Sequence, residues 1–466
     1  MKIVIFGAGN YYQRRKQHIP SDMEIIAFLD NNFQLQGKKI DGVQVLEPYK
    51  IKQVPYDKVV LMSNSITEMR EQLIKLNVSE ENIWSWEQLN SEIWHGIFRF
   101  YAGDTQIREG KKRVLIISTE LNYNGGTFAA VYAASALRNK GFNVMLAAQD
   151  GNAKLINEII EDGINVMICH GLPYLKEEEL FFIKQFDVVI VNVFQMISCA
   201  CEISKIRPTM WWIHEPSEMY KNTMMHFPQY TDKVKLKKIS IYAVSSIAQR
   251  NFNHYFPERI KKTLSYGIPN QRKESIPDKE SIVFAIIGCV CLIKAQDIFI
   301  RAAKLLNDED RKNVQFWIIG SIGNDKYSRN VRELIGEDTA FRVYGEVTRG
   351  RMQELYKEID VVVCVSIEDC LPMVITEGMM LQKVCIISNH TGSVDYIEDS
   401  INGFIVPAGD VFALKEKMKW CIHNKKKRKI IGKKAREAYE ENFAMDIFGD
   451  KLEKALIETE VGWNYK

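Results

Sequence analysis

The sequence predicts an α/β fold made of parallel, doubly wound sheets. Short apolar runs rich in Val and Ile recur along the chain and alternate with longer polar or amphipathic stretches, which is the pattern of strand–helix–strand units. The runs are almost continuously apolar, as expected for strands that helices cover on both faces. At 466 residues the chain has room for about three such domains, at roughly 150 residues each.

The apolar runs fall into three blocks, which predict a domain over 1–100, a second over 112–273 and a third over 274–444. The polar stretch 102–113 is typical of a linker, and the charged, Pro-containing stretch 274–281 of a hinge. We expect an amphipathic last helix, at about 445–466, to return to the second domain. Strands are predicted at 2–7, 24–30 and 58–63, at 114–119, 143–148, 187–193, 210–215 and 241–246, and at 281–288, 314–321, 341–347, 361–366 and 383–388.

Composition excludes several classes of protein. The hydrophobic fraction of 46% and the charged fraction of 26% are ordinary for a globular protein, and a net charge of +3 is too small to indicate nucleic acid as a partner. The first residues read as a strand and not as a signal peptide, and no apolar run approaches the ~18 residues of a membrane span. Nine cysteines without zinc-ligand spacing predict buried free thiols in the cytoplasm.

The most informative segment is SIEDCLPMVITEGMM, residues 366–380. Asp369 lies in a turn after a predicted strand, Pro372 stands where a helix tolerates proline at its start, and Glu377 follows about one turn into the helix. The free N–H groups and the dipole of a helix N-terminus attract anions. Two carboxylates beside a phosphate-sized anion site predict a ligand with phosphates and hydroxyls, such as a sugar nucleotide.

This segment resembles the donor-binding domain of GT-B glycosyltransferases, in the retaining group numbered family 4. That family carries an acid, seven residues and a second acid, with a proline three places after the first, as at Asp369, Pro372 and Glu377. Residues 382–410 continue its pattern with a strand, a Gly-containing loop and an N-G-x-x-V-P-x-G-D run. The resemblance implies a GT-B fold, two facing Rossmann-like domains over about 112–466. It also implies an additional N-terminal Rossmann-like domain of the kind found in surface-polysaccharide biosynthesis proteins.

The resemblance also implies roles for the acids. Glu377 would bind the ribose hydroxyls of the nucleotide, and Asp369 would hold sugar hydroxyls and stabilise positive charge near the anomeric carbon. The family has Glu at the first position, so Asp369 is one methylene shorter. The alternative is that both acids only interact with the helix dipole. Three residues at the helix start are further expected substrate contacts: Leu371, Pro372 and Met373.

Residues 286–300 resemble the family's glycine turn followed by a Lys-x-Gln-Asp helix start. Gly288 would form the turn, and Lys294 would neutralise the donor diphosphate as a point charge. Many members carry Arg after the glycine, where this chain has Cys289, so Lys294 would carry more of the task. A solvated surface lysine is the alternative. Weaker candidates for contact with the nucleotide follow the next two predicted strands: Gly320, Ser321, Gly345 and Glu346.

The second block supplies the acceptor side in this family. Gly125 and Gly126 predict a tight loop before a helix from about Thr127 to Gly141, and bare backbone N–H groups there could approach the donor phosphates. A plain structural turn is the alternative. His214, at the end of the strand in MWWIHEP, would lie beside the donor sugar and position it.

The N-terminal block carries a partial dinucleotide fingerprint. Gly7 and Gly9 match two of its glycines, whereas Tyr12 takes the third place, where glycine normally allows close helix–strand packing. Asp30 ends the second strand, where an acid can bind ribose. We interpret this block as a binding or docking module and not as a working oxidoreductase.

Two basic segments, 233–238 and 424–436, predict either solvated helix faces or contact with anionic lipid. The second reading would suit a lipid-linked acceptor.

Taken together, the sequence predicts a cytoplasmic, retaining hexosyltransferase, with membrane-surface contact as a further option. It would move a sugar from a nucleoside diphosphate sugar to a saccharide or lipid-linked saccharide, without a cofactor or metal and without nucleic acid. Three alternatives stay open: a GT-B-type sugar-nucleotide epimerase, a non-catalytic sugar-nucleotide-binding subunit, and a separate NAD-dependent activity in the N-terminal block.

Overall fold

The computed structural model of the protein describes most of the chain. Within the described part, three sheets follow one another along the sequence. The basic segment 233–238 and most of the predicted hinge 274–281 lie outside it. The described residues are 1–16, 19–63, 66–86, 88–89, 98–103, 106–227, 230–231, 239–260, 262–271 and 281–464.

The N-terminal domain has a six-stranded sheet in the order β3-β4-β2-β1-β5-β6. Its strands are parallel except for β3, which pairs antiparallel with β4. Helices α1 (Asn10–Arg15) and α2 (Ile66–Lys75) follow β1 and β5. The strands are β1 (Lys2–Phe6), β2 (Glu24–Leu29), β3 (Lys39–Ile40), β4 (Val43–Leu46), β5 (Lys58–Leu61) and β6 (Ile83–Ser85).

The middle domain has a seven-stranded sheet in the order β13-β12-β11-β8-β9-β10-β7. Only its edge strand β7 is antiparallel, and the sequence did not predict it because three residues are too short to form an apolar run. The strands are β7 (Arg99–Tyr101), β8 (Arg113–Leu121), β9 (Asn143–Gly151), β10 (Asn165–Ile168), β11 (Val188–Asn192), β12 (Thr209–Ile213) and β13 (Ile239–Ala243). The helices are α3 (Gly125–Asn139), α4 (Ala153–Glu161), α5 (Ile197–Ile203), α6 (Glu218–His226) and α7 (Ser246–Tyr255).

The C-terminal domain has a fully parallel sheet in the order β16-β15-β14-β17-β18-β19. The strands are β14 (Ile282–Ile287), β15 (Val314–Ile319), β16 (Phe341–Gly345), β17 (Val361–Cys364), β18 (Val384–Ser388) and β19 (Phe404–Val406). The helices are α8 (Gln296–Lys304), α9 (Asp308–Arg311), α10 (Lys326–Ile335), α11 (Arg349–Glu358), α12 (Met373–Met380), α13 (Val411–His423) and α14 (Lys425–Asn442).

The last helix, α15 (Met445–Asn464), leaves the C-terminal domain and packs on the middle one. The indole of Trp463 donates to the carbonyl of Ser204 at 2.8 Å, and the ring of Phe448 stacks on Trp212 with centroids 5.9 Å apart. The two domains therefore share helix packing and one continuous hydrophobic core.

The predicted α/β class with parallel Rossmann-like sheets is confirmed. No helix in the described part of the chain combines the length and apolar character needed to cross a membrane.

Candidate active site

Lys294 and Asp369 meet at one edge of the C-terminal sheet. Lys294 follows β14 and Asp369 follows β17, and these strands are neighbours, so their carboxyl ends bring the two loops together. The ammonium of Lys294 forms an ion pair with Oδ2 of Asp369, and the side chains are only 29% and 13% exposed. Burial acts to lower the pKa of Lys294, but the Asp369 carboxylate outweighs it and the pKa is raised. Lys294 is therefore a fixed positive charge at neutral pH.

Backbone hydrogen bonds fix the loop that carries Asp369, residues 366–372, here called the acid loop. The N–H of Ile367 donates to the carbonyl of Ile293 at 2.7 Å, which ties the acid loop to the turn that carries Lys294. The N–H of Gly392 donates to the carbonyl of Asp369 at 2.8 Å. A Cβ at Gly392 would overlap the carbonyl oxygen of Cys370, so the close approach of these two loops requires glycine at 392.

Glu377 lies on α12 and faces a polar pair from α11. The hydroxyl of Tyr356 donates to its Oε2 at 2.6 Å, and Arg349 is close enough to affect its charge. Burial raises the pKa of Glu377, while Tyr356 and Arg349 act against the rise. Arg349 also donates to the hydroxyl of Tyr132, on α3 of the middle domain, at 3.1 Å. The Glu377 side of the site is thus in contact with the middle domain.

Glycines shape the strand ends around Lys294. Gly288 and Gly320 have φ values of +142° and +144°, and a Cβ at Gly320 would overlap the carbonyl oxygen of Gly288. The ends of β14 and β15 can approach this closely only because residue 320 is glycine, whereas Gly288 is favoured by its positive φ. Ser321 belongs to the same arrangement, since its carbonyl accepts from the N–H of Val290 at 2.8 Å.

The thiols beside Lys294 correct a prediction. Cys289 is exposed and Cys291 is half-buried, whereas the other seven cysteines are buried as expected. The sulfur atoms lie 3.8 Å apart, and this contact lowers the pKa of Cys291 to about 6 and raises that of Cys289. The buried side chain of Gln296 holds their turn by donating to the carbonyl of Cys289 at 2.9 Å. A turn outside the strand keeps Cys289 from the sheet core.

The diglycine of the middle domain lies in a helix and not in the predicted loop before it. Helix α3 begins at Gly125, because Asn124 serves as the N-cap and its side chain accepts from the N–H of Thr127 at 2.9 Å. A Cβ at Gly125 would meet nothing within 4 Å. At Gly126 it would make only ordinary contact with Val193 and Asn124. The start of α3 is therefore uncovered.

His214 and Glu215 follow β12 in a buried corner. Both oxygens of Glu215 accept backbone N–H groups, from Phe194 at 2.6 Å and His214 at 2.9 Å. Burial raises the pKa of Glu215 to about 7, although these bonds act in the opposite direction. Beside them Val193 has a φ of +76°, a strained conformation for a β-branched residue. Glu215 therefore fixes the loop after β11 to the loop after β12, and the fold tolerates backbone strain at Val193 to keep this arrangement.

The imidazole of His214 is neutral. Its ring packs against Trp212 with centroids 4.5 Å apart, and burial lowers its pKa to about 3. Among the described residues, none forms a hydrogen bond with its buried Nε2. With so low a pKa, the ring carries no charge at neutral pH and is poorly suited to proton exchange there.

Glu368, one residue before Asp369, joins the two domains. Its carboxylate accepts from the N–H and hydroxyl of Ser217 at 3.1 and 2.7 Å and from the amide of Asn251. Ser245 donates to the carbonyl of Cys370 in the same loop. Sequence reasoning missed Glu368, and the contacts distinguish the two acids: Glu368 faces the middle domain and Asp369 faces Lys294.

The fingerprint residues of the N-terminal domain serve its own packing. Both oxygens of Asp30 accept backbone N–H groups, from Ala8 and Asn32, each at 2.8 Å. The ring of Tyr12 is buried against Phe28. Gly7 has a φ of +107°, and a Cβ there would collide with the carbonyl of Met62, whereas Gly9 has open space around it. Apart from Gly9, these residues are accounted for without a dinucleotide.

Comparison with known proteins identifies families for all three parts of the chain. Residues 267–438 match the family model described as glycosyl transferases group 1. Residues 110–263 match the model described as glycosyl-transferase family 4, and residues 1–84 match the C2185-like N-terminal domain.

Two curated relatives match only parts of the chain. The capsular polysaccharide biosynthesis glycosyltransferase CapM of Staphylococcus aureus is 34% identical over 77 residues, which are 16% of this chain and 20% of that protein. The putative glycosyltransferase EpsD of Bacillus subtilis is 27% identical over 146 residues, 31% of this chain and 38% of that protein. The chain thus matches well under half the length of either relative.

Solved structures show the fold. HepE of Anabaena in complex with UDP-glucose has a TM-score of 0.63 at 16% identity, covering 74% of this chain and 100% of that one. TarM has a TM-score of 0.60 at 12% identity, covering 74% and 98%. A glycosyltransferase from Rickettsia africae has a TM-score of 0.60 at 18% identity, covering 75% and 99%. The two glycosyltransferase models jointly cover more than half of the chain, and the protein therefore belongs to the GT-B, family 4-like glycosyltransferases, with an additional N-terminal domain.

Proposed function

We propose that the protein is a retaining hexosyltransferase that moves a sugar from a nucleoside diphosphate sugar to an acceptor hydroxyl. The observation that carries the proposal is the Lys294–Asp369 ion pair at adjacent strand ends, with Glu377 on the helix that follows. The UDP-glucose bound in the HepE complex supports the donor class. The name of CapM supports a role in the synthesis of cell-surface polysaccharide or glycoconjugate.

Glu377 would anchor the ribose. Tyr356 holds one carboxylate oxygen at 2.6 Å, and an ionised carboxylate has further lone pairs to accept from a vicinal diol. Because the nearby Arg349 donates a hydrogen bond to Tyr132 of the middle domain, a nucleotide bound here would affect a contact between the two domains.

Lys294 and the start of α12 would stabilise the departing diphosphate. The first turn of a helix leaves N–H groups without helical partners, and the fixed ammonium of Lys294 adds a full charge where negative charge develops. The glycines at 288 and 320 keep the adjacent backbone bare enough for phosphate to approach.

The transfer would occur on one face of the sugar. The acceptor oxygen bonds to the anomeric carbon as the bond from that carbon to the diphosphate oxygen breaks, and the acceptor proton passes to the departing phosphate. Asp369 would stabilise the positive charge at the sugar, and neutral His214 would position a sugar hydroxyl. The chemistry needs no cofactor in this proposal, so a chelator such as EDTA should leave the rate unchanged.

Donor turnover tests the proposal. The purified protein is incubated with UDP-glucose and other nucleoside diphosphate sugars, with and without bacterial acceptor extract, and nucleoside diphosphate release and product anomeric configuration are measured. We expect acceptor-dependent release with retention, lost in Lys294→Ala and Glu377→Ala and kept in the exposed controls Lys312→Ala and Glu333→Gln. Wild-type rates in the first pair would overturn the proposal. Donor interconversion without acceptor would instead indicate an epimerase, and binding without turnover a non-catalytic subunit.

The protein would act in the cytoplasm, where α14 would contact the inner face of the membrane. Lysines 425, 426 and 427 on this helix are exposed, and such residues attract anionic lipid by ~1 kcal/mol each. Flotation with phosphatidylserine vesicles should carry the protein at low salt and release it at high salt. Binding that ignores salt or lipid charge would contradict this contact.

A further inference from the structure

A cavity of about 970 Å³ lies between the N-terminal and middle domains. We infer that it is the acceptor site, that it takes a neutral saccharide, and that the N-terminal domain forms one of its walls. This inference rests on the proposed function, because it assigns the second substrate of the same reaction.

Topology explains why the cavity lies there. On one side it is lined by residues that follow strands of the N-terminal sheet, Tyr11 after β1 and Ser63 after β5. On the other it is lined by Glu120 and Asp150, at the ends of β8 and β9. Ligands of parallel α/β sheets bind outside the carboxyl ends of the strands. Here two such edges face each other across one space.

Specific contacts hold the two walls together. Arg15 on α1 lies 3.8 Å from Glu120 of the middle domain, and the Arg15 guanidinium stacks on the ring of Tyr11. On the other side of the cavity, the hydroxyl of Thr67 donates to the side chain of Asn222 on α6. All five residues line the cavity, so the contacts between domains are also walls of the site.

The lining has the chemistry of a carbohydrate site. Aromatic side chains, Tyr11 and Tyr174 among them, line the cavity, and the apolar part of such a ring can pack against the C–H face of a sugar ring. Carboxamides, such as those of Gln149 and Gln195, present both donors and acceptors and suit hydroxyl groups, which also do both. The volume lies within the range of about 300–1,000 Å³ that is usual for ligand pockets.

Charge favours a neutral ligand. The carboxylates of the lining outnumber its lysine and arginine side chains, so a sugar phosphate or the diphosphate of a lipid carrier would be repelled, whereas hydroxyl groups can donate to the carboxylates. The carboxylates are Glu68, Glu120, Asp150 and Glu218, and the cations are Arg15 and Lys221.

One lining residue connects the cavity with the acid loop of the C-terminal domain. Ser217 lines it and donates twice to Glu368 in the acid loop. A saccharide that contacts Ser217 in the cavity would therefore lie next to the acid loop, and its outer hydroxyl groups would extend towards the donor.

Saccharide binding to the whole 466-residue chain tests the inference. Saturation-transfer NMR is recorded with the methyl β-glycosides of glucose, galactose and N-acetylglucosamine, and UDP-glucose binding is measured by calorimetry on the same samples. At least one glycoside should bind the wild type. Its affinity should fall about tenfold in Tyr11→Ala, on one wall, and in Gln149→Ala, on the other, with donor affinity kept. Tyr49→Ala is the matched control, because this exposed tyrosine of the same domain also has a cation over its ring but does not line the cavity.

The outcomes separate the two proposals. If no glycoside binds the wild type, or if Tyr11→Ala binds it as tightly as Tyr49→Ala does, the inference is overturned. Wild type that binds a glycoside in the cavity but no nucleoside diphosphate sugar supports a saccharide site and overturns the proposed transferase. Should Tyr11→Ala fail to fold, as judged by its thermal melt, Gln149→Ala and Asp150→Asn decide from the other wall.

Discussion

Ser217 of the middle domain donates two hydrogen bonds, from its backbone and its hydroxyl, to the carboxylate of Glu368 in the C-terminal domain. The next residue, Asp369, turns the other way and pairs with Lys294. One short loop thus carries two adjacent acids with different tasks, one between domains and one in the site. Because Ser217 holds Glu368, a change in the angle between the domains would reach Asp369 through the backbone of the acid loop.

The two acids should respond differently to substitution. Asp369→Asn removes the partner charge of Lys294, and we expect kcat to fall about 100-fold, as for the loss of a preorganised electrostatic contact. Glu368→Ala leaves that pair intact and only loosens the loop, so a loss of about tenfold is expected from misplacement. Steady-state kinetics with a nucleoside diphosphate sugar give both values. Equal losses, or a near-normal rate in Asp369→Asn, would show that the acids have been assigned wrongly.

Gly392 is expected to tolerate no side chain. An alanine Cβ would overlap the carbonyl of Cys370 and crowd the hydroxyl of Ser245, which itself donates to that carbonyl. The backbone would have to shift at the point where the acid loop meets the middle domain. Gly392→Ala should lower the free energy of unfolding by about 1–3 kcal/mol and reduce turnover further.

Chemical denaturation measures the free energy of unfolding of Gly392→Ala. Gly350→Ala is the control, since a Cβ there meets nothing within 4 Å and lies in a helix. A variant of Gly392 as stable as this control would contradict the argument.

Local signals made most of the fold predictable, and they also gave the candidate residues at the centre of the proposed site. Apolar runs located the main strands, and the motif around Pro372 located Asp369 and Glu377, because each depends on residues close in sequence. Lys294 was predicted from the helix start that follows it, at Gln296. The residues around them were not, because Arg349 lies on another helix, and Tyr132 and Ser217 belong to the middle domain. The three-residue edge strand β7 also gave no signal, and the diglycine was taken for a loop because its N-cap, Asn124, was overlooked.

Substitution of Gly125 should change donor binding without changing the stability of the fold. It is the first residue of α3 and a Cβ there has open space, so Gly125→Ala should leave the melting temperature unchanged or slightly higher. If the bare helix start approaches the donor phosphates, the same variant should bind UDP-glucose about tenfold more weakly, or ~1.4 kcal/mol. Calorimetry and a thermal melt, with Gly350→Ala beside it, give both quantities. Unchanged donor affinity would remove Gly125 from the site.

The ionised carboxylate of Glu377 is expected to lower the free energy of unfolding of the unliganded protein while it strengthens binding of the donor nucleotide. Burial raises its pKa in the folded protein above the ordinary carboxyl value of about 4.3. Its contribution to stability is therefore fully present below that value and is lost as the pH rises through the folded pKa. At neutral pH the ionised carboxylate thus lowers the free energy of unfolding of the unliganded protein. Glu377→Gln keeps an acceptor for Tyr356 and removes the charge.

This variant should melt at a higher temperature than the wild type at pH 7. The melting temperature should rise by about 2–4 °C for each kcal/mol gained in the free energy of unfolding, and the difference should shrink as the pH falls towards 4. Its affinity for UDP-glucose should fall because a ribose diol loses a charged acceptor. Glu333→Gln, on the exposed face of α10, controls for the charge change. A Glu377→Gln variant that melts lower than the wild type at neutral pH would show that the carboxylate stabilises the fold, and its place in the site would need another explanation.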